Sequence, residues 1–173
     1  MNKLSKLAIL AVLSTIGTAA AAEDGTITFE GTISDATCTI TGGDAQGESS
    51  TPDFTVHLPS ISATALAADG QRAGDTPFHI TLSSANCTNG KIANVFFELA
   101  QSTNIDTVTG NLKNTVAKAS GGAEKVQVGL LDSSKAILNL NTANNNAQTV
   151  TVSGNTARFD YWAQYVATGG AST

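Results

Sequence analysis

Apolar and polar residues alternate with a period of two along most of the chain. Ile27, Phe29, Gly31 and Ile33 fall on one side of an extended backbone, and Thr26, Thr28, Glu30 and Thr32 on the other. That is the pattern of a strand with one buried face. It continues past Cys38 into Thr39-Ile40-Thr41 and returns at Phe54/Val56/Leu58, which ends at Pro59, and at Phe78/Ile80/Leu82. Ile92–Ala100 alternates through Val95, Phe97 and Leu99, with Phe96 on the opposite face. Leu112–Val116, Val126/Val128/Leu130, Ile137–Leu140 and Val150/Val152 are shorter repeats of the theme. The last is Phe159/Tyr161/Ala163/Tyr165, set against Asp160, Trp162 and Gln164.

Turn chemistry separates these runs. Gly42–Pro52 reads as a polar loop and Gln71–Thr76 as a turn, with Pro77 opening the next strand. Asn89-Gly90 predicts a type I′ hairpin, because both residues tolerate positive φ. Asp132–Lys135 and Ser153-Gly154-Asn155 are turns, Asn141–Ala147 is a polar loop, and Gly169-Gly170 stops the final strand. The one predicted helical turn, Ala63–Ala68, is capped by Ser62 and ended by Gly70. Short strands with turn residues between them predict an all-β sandwich or barrel.

Composition narrows this further. The 173 residues suit one domain. Low charge (13%), few aromatics (5%) and abundant glycine fit an all-β surface protein better than an α/β enzyme. Lys3 and Lys6, the apolar run Leu7–Ile16 and Ala20-Ala21-Ala22 read as a secretory signal cleaved after Ala22. A membrane anchor is the rival reading, but the run is about ten residues where a span needs about twenty. Without Lys3 and Lys6 the mature chain holds 7 basic and 14 acidic residues, a net charge of −7. No basic patch is present, which excludes nucleic acid as a partner.

Cys38 and Cys87 stand 49 positions apart in an exported chain, where an even cysteine count reads as one disulfide. A metal site or catalytic thiol is the alternative, but His57 and His79 lack ligand-like spacing to either cysteine. Neither a nucleophile elbow, a phosphate-binding loop nor a dinucleotide fingerprint occurs. Asn86-Cys87-Thr88 is a short sequon on a cysteine expected to be bonded. His57 and His79 read as surface histidines of their strands. Trp162 and Tyr165 suit either sheet packing or a sugar-binding surface. The sequence therefore predicts no enzyme, no metal and no cofactor.

Four segments resemble the fimbrial subunits assembled by the chaperone–usher route, close to the type 1 major pilins. They are GTITFEGTISDATCTI, with Gly31 seven positions before Cys38; FTVHLPSISATALAADGQRAGDTPFHITLSSANC; VQVGLLDSSKAILNL at 126–140; and NTARFDYWAQYVATG at 155–169. The resemblance implies an incomplete Ig-like β-sandwich lacking its seventh strand and completed by donor-strand exchange. A periplasmic chaperone fills the gap first, and the leading strand of the next subunit replaces it. Residues 1–22 are then a signal peptide, 23–36 the donor-strand extension and 37–173 the pilin domain. By the same resemblance Ile27, Phe29 and Ile33 are the apolar donor residues, Gly31 sits where the groove admits no side chain, and Cys38–Cys87 is the family's disulfide.

The resemblance also implies a last strand beyond Ala167-Thr168-Gly169. The sequence stops at Thr173, so a missing C-terminal strand is expected. Partners follow: copies of itself and other pilins, the chaperone, an outer-membrane usher, and a host glycan or surface receptor. The expected location is a fimbrium on the bacterial surface, reached through the periplasm and serving adhesion and biofilm formation. A carbohydrate-binding minor or tip adhesin is the alternative, and an exported sandwich unrelated to fibres a further one.

Elementary energetics fit the assembly reading. Three buried apolar side chains contribute roughly 1.5–3 kcal/mol each. Strand addition also satisfies an otherwise open edge, and head-to-tail contacts that do not close give filaments. On this reading an isolated chain is expected to leave segment 23–36 unpaired or poorly placed.

Overall fold

The computed structural model describes residues 25–29, 38–142 and 148–172. The predicted signal peptide 1–22, donor positions Gly31 and Ile33, and most of the predicted loop 141–147 lie outside them. The described strands are β1 (Thr26–Phe29), β2 (Thr39–Asp44), β3 (Gly47–Ser49), β4 (Phe54–His57), β5 (Arg72–Ser83) and β6 (Ile92–Asn94). They continue with β7 (Leu112–Lys113), β8 (Glu124–Leu131), β9 (Ile137–Leu138), β10 (Thr149–Thr151) and β11 (Thr156–Ser172). Helical structure among the described residues is confined to three short 3₁₀ turns.

Seven strands form one antiparallel sheet in the order β3-β2-β5-β11-β8-β7, with β9 also on β8. Two separate two-stranded pieces, β1–β4 and β6–β10, cover its inner face. The fold is all-β and Ig-like. Its spine is the long pairing of β11 with β5, from Thr156↔Ser83 to Val166↔Arg72. Alternation along these strands turns Phe78, Ile80, Phe159, Tyr161 and Ala163 inward, all buried. The rings of Phe54, Phe78 and Tyr161 form the centre of the core, with Phe78 and Tyr161 stacked at 5.3 Å.

Several boundaries differ from the sequence reading, each for a local reason. β2 runs through Gly42-Gly43 to Asp44 and turns tightly into β3, where the pattern predicted a loop. Glycine weakens a strand unless another group must come close. At Gly42 a Cβ would strike the ring of Phe54, and at Gly43 the carbonyl of Gly47. Gly42→Ala is therefore expected to cost about 1–3 kcal/mol through overpacking, read as a lower urea midpoint at unchanged slope.

Pro77 lies inside β5 rather than at its start. Pairing with β2 ends at Asp44↔Phe78, so residue 77 has a neighbouring strand on one side only, an edge-like place that tolerates proline. Asn89-Gly90 turns the chain but makes no type I′ hairpin. Of the two, Gly90 alone has positive φ, and β6 pairs with β10. The two-residue turn with both central φ positive is Gly154-Asn155, closed by a Ser153↔Thr156 bridge.

The strand predicted over 92–100 ends at Asn94, although its facing is as the alternation required: Val95, Phe97 and Leu99 pack on the core and Phe96 is exposed. Gly169-Gly170 does not stop β11. It marks an irregularity between Ala167 and Ser172, with Gly169 at φ 100°. The helical turn is a 3₁₀ turn, Ala63–Leu66, and the Ser62 hydroxyl accepts a hydrogen bond from the Thr64 N–H.

Candidate functional site

The N-terminal strand is not left unpaired in this structure. β1 pairs antiparallel with β4 of its own chain, Thr26↔His57 through Phe29↔Phe54, and the Leu58 N–H donates to the Gly25 carbonyl. Period two then decides what is buried: Ile27 is in the core, and Phe29 stacks on Phe54 at 4.8 Å and Phe78 at 5.0 Å. The expectation that 23–36 is unpaired or poorly placed is therefore corrected for residues 26–29, while residues 23–24 and 30–36 lie outside the described residues. Apolar side chains next to an apolar sheet gain by burying themselves. Gly25 has a role that the alternation did not indicate, since a Cβ there would strike the Tyr165 hydroxyl.

Among the described residues the covering layer is built of short pieces. Ala93, Val95, Phe97 and Leu99 face the core from β6 and the segment after it, yet all remain half-buried. Phe97 reaches Phe29 at 6.3 Å and meets Tyr161 edge-on at 5.7 Å. Val126 and Val128 of β8 and Leu112 of β7 are core-facing and half-buried in the same way. An apolar row that faces inward and stays half-buried is the kind of surface that one more strand can pack on.

Cys38 and Cys87 are joined in a disulfide that pins the start of β2 to the end of β5. Cys87 is fully buried. Asn155 ties the loop around it to the β10–β11 turn: its N–H donates to Asn89 Oδ1 at 2.8 Å and its side-chain amide to the Cys87 carbonyl at 2.7 Å. Positive φ at Asn155 is what aims both donors at that loop.

Both histidines are engaged by carboxylates of the β2–β3 hairpin. Asp44 Oδ2 accepts from the His57 backbone N–H and lies 2.9 Å from His57 Nδ1, while Oδ1 accepts from the Gln46 N–H. His79 Nε2 lies 2.8 Å from Glu48 Oε2. Opposite the predicted surface position, His79 is 5% exposed. The cross-strand row Glu48, Gly43, His79 explains this, because glycine at 43 lets Glu48 reach over and cover the ring.

Burial pushes the Asp44 carboxyl up, but the His57 and Gln46 N–H groups and the His57 ring outweigh it, holding it below the ordinary 3.8. A carboxyl depressed in the folded state stabilises fully above its unfolded value and ceases to as pH falls through the folded one. Asp44→Asn is expected to cost about 1.5–3 kcal/mol at neutral pH. The gap to wild type should close below pH 3.8, as followed by urea denaturation across pH.

Trp162 points away from the core, and Lys135 Nζ lies 4.0 Å over its ring while bonding to Asp75 at 2.7 Å. Tyr165 is buried. The two aromatics suggested for a sugar surface are thus on different duties. Among the described residues no group of three or more His, Cys, Asp or Glu side chains could hold a metal ion. The Asp44–His57 contact was hidden in the sequence, because thirteen positions separate the partners and no spacing rule links them.

The family FimA, type-1 fimbrial protein A, matches residues 58–173. The F17 fimbrial protein of Escherichia coli is 40% identical over 172 residues, covering 96% of this chain and 88% of that protein. Major fimbrial subunit SMF-1 of Stenotrophomonas maltophilia is 39% identical over 163 residues, covering 89% and 87%. Minor fimbrial subunit HifD of Haemophilus influenzae is 33% identical over 180 residues, covering 98% and 76%. A solved Burkholderia pseudomallei antigen and type I fimbria protein is similar at 25% identity and TM-score 0.43, covering 85% of this chain and 90% of that one. The chain belongs to the type-1 fimbrial protein family and is a structural subunit of a chaperone–usher fimbria, not an enzyme.

Proposed function

We propose that this subunit polymerises by donor-strand exchange, its N-terminal strand leaving its own body to join the covering layer of the next copy. The observation that supports the reading is that Val95 and Leu99 face the core yet stay half-buried. Ile27 and Phe29 support the reading, since they occupy apolar surroundings within their own chain. Alternation puts Gly31 and Ile33 on the same face. Residues 23–36 are then the transferable segment, 37–173 the receiving body, and 1–22 the export signal.

The periplasmic chaperone guards the covering layer before exchange, and the usher passes the growing fibre through the outer membrane to the surface. There it serves adhesion and biofilm formation. A sugar-binding tip role is less well supported, because Lys135 already lies over a ring face of Trp162.

Co-expression with chaperone and usher, with and without residues 23–36, tests the reading. The intact chain should give ladders that resist SDS without boiling, and the deletion should give none. Equal ladders from both would end it.

A further inference from the structure

The own-chain pairing of β1 raises the question of what keeps it closed, and the answer lies on the far edge of β4. β4 offers one edge to β1, where the Leu58 N–H bonds to Gly25. The His57 N–H, one residue earlier, is directed instead to Asp44 Oδ2 at 2.6 Å, and the His57 ring nitrogen meets the same oxygen. The Asp44 side chain is 2% exposed. Its other oxygen holds the Gln46 N–H and so fixes the β2–β3 turn. One buried carboxylate therefore grips β4 at two points and is itself anchored to the large sheet. Thr26, the first residue of β1, is the register partner of His57.

We propose that Asp44 and His57 form a latch that holds β4, and through it the chain's own N-terminal strand, until that strand is handed on. The proposal rests on the exchange reading above. Among the described residues, the other ionisable groups around the latch are Glu48 of β3, bonded to His79 of β5, and Asp53 just before β4; both Glu48 and Asp53 line the same shallow cleft as His57. β1 places only uncharged Thr26 opposite the histidine. Glu48 supplies an internal control, since it lies in the same hairpin but grips β5 and not β4. Protonating Asp44 removes acceptor capacity for its donors, so acid should open the latch.

The test uses the mature chain and a fluorescein-labelled synthetic peptide of residues 23–36. Two quantities are read: the rate of peptide uptake into an SDS-stable complex, and amide hydrogen exchange at residues 26–29. Protection of β5 and β11 amides serves as the folding control. Asp44→Asn should speed both quantities about tenfold or more at neutral pH, in line with losing charge-assisted bonds. It should also abolish the acceleration that wild type shows below pH 3.8. His57→Gln keeps the backbone bond to Asp44 and should fall between the two, and Glu48→Gln should match wild type. Rates for Asp44→Asn equal to wild type, or equal to those of Glu48→Gln, would overturn the latch. If no form takes up peptide at any pH, the exchange reading fails, while faster 26–29 amide exchange in Asp44→Asn would still uphold the latch.

Discussion

A Phe29→Asp subunit should reach the periplasm with its chaperone and yet yield no SDS-resistant ladder. Phe29 is the aromatic hub of the N-terminal strand, stacked on Phe54 and Phe78 and within 6.3 Å of Phe97. Truncating a well-packed phenylalanine costs about 3–5 kcal/mol. A carboxylate in the same place adds the penalty of an unpaired charge among rings. On the exchange reading both losses fall on the seat in another copy as well as on the chain's own core, so assembly should fail outright. Thr28→Asp is the matched control: Thr28 is exposed on the opposite face of β1 and should tolerate the charge. Wild-type ladders from Phe29→Asp, or loss of ladders in Thr28→Asp, would show that the facing of the strand has been misjudged.

The second large effect is expected at the disulfide. Cys38 and Cys87 close a loop of 49 positions. Releasing it restores about 4 kcal/mol of unfolded-state entropy in the chain-entropy model. For a domain near this size that corresponds to a fall in Tm of roughly 10 °C. Cys87 has no exposed surface and Cys38 is partly buried, so reductant must attack from the Cys38 side and should act more slowly on the folded protein than after unfolding. Thermal melts of Cys38→Ser/Cys87→Ser, and of wild type with and without reductant after unfolding, check both statements. A double serine variant melting within a degree or two of wild type would contradict them.

Much of the fold could be read from period two. Phe54, Val56, Phe78, Ile80, Phe159, Tyr161 and Ala163 were placed on inner faces by alternation, and each is buried. The family was legible from four segments whose order and spacing agree. What alternation cannot supply is the partner of a strand. It shows that Ile27 and Phe29 share a face but not that β4 of the same chain is within reach. Turn chemistry failed where it named residues without their torsions: Asn89-Gly90 has the right letters, and Gly154-Asn155 has the right φ pair. The glycines of β2 looked like a loop because their reason for being there, the ring of Phe54 and the carbonyl of Gly47, appears only once the hairpin and β4 are folded against β2. The Asp44–His57 grip and the burial of His79 under Glu48 are invisible for the same reason: the first joins two strands that share no sheet, and the second is a product of register.

Trp162 is the only tryptophan, and it lies on the outer side of the large sheet beneath Lys135. Its emission should therefore report denaturation of β5 and β11 and be almost blind to whatever sits beside Phe97. A stopped-flow record that combines this intrinsic signal with a dye on the incoming segment would separate loss of the scaffold from hand-over of the strand within a single sample.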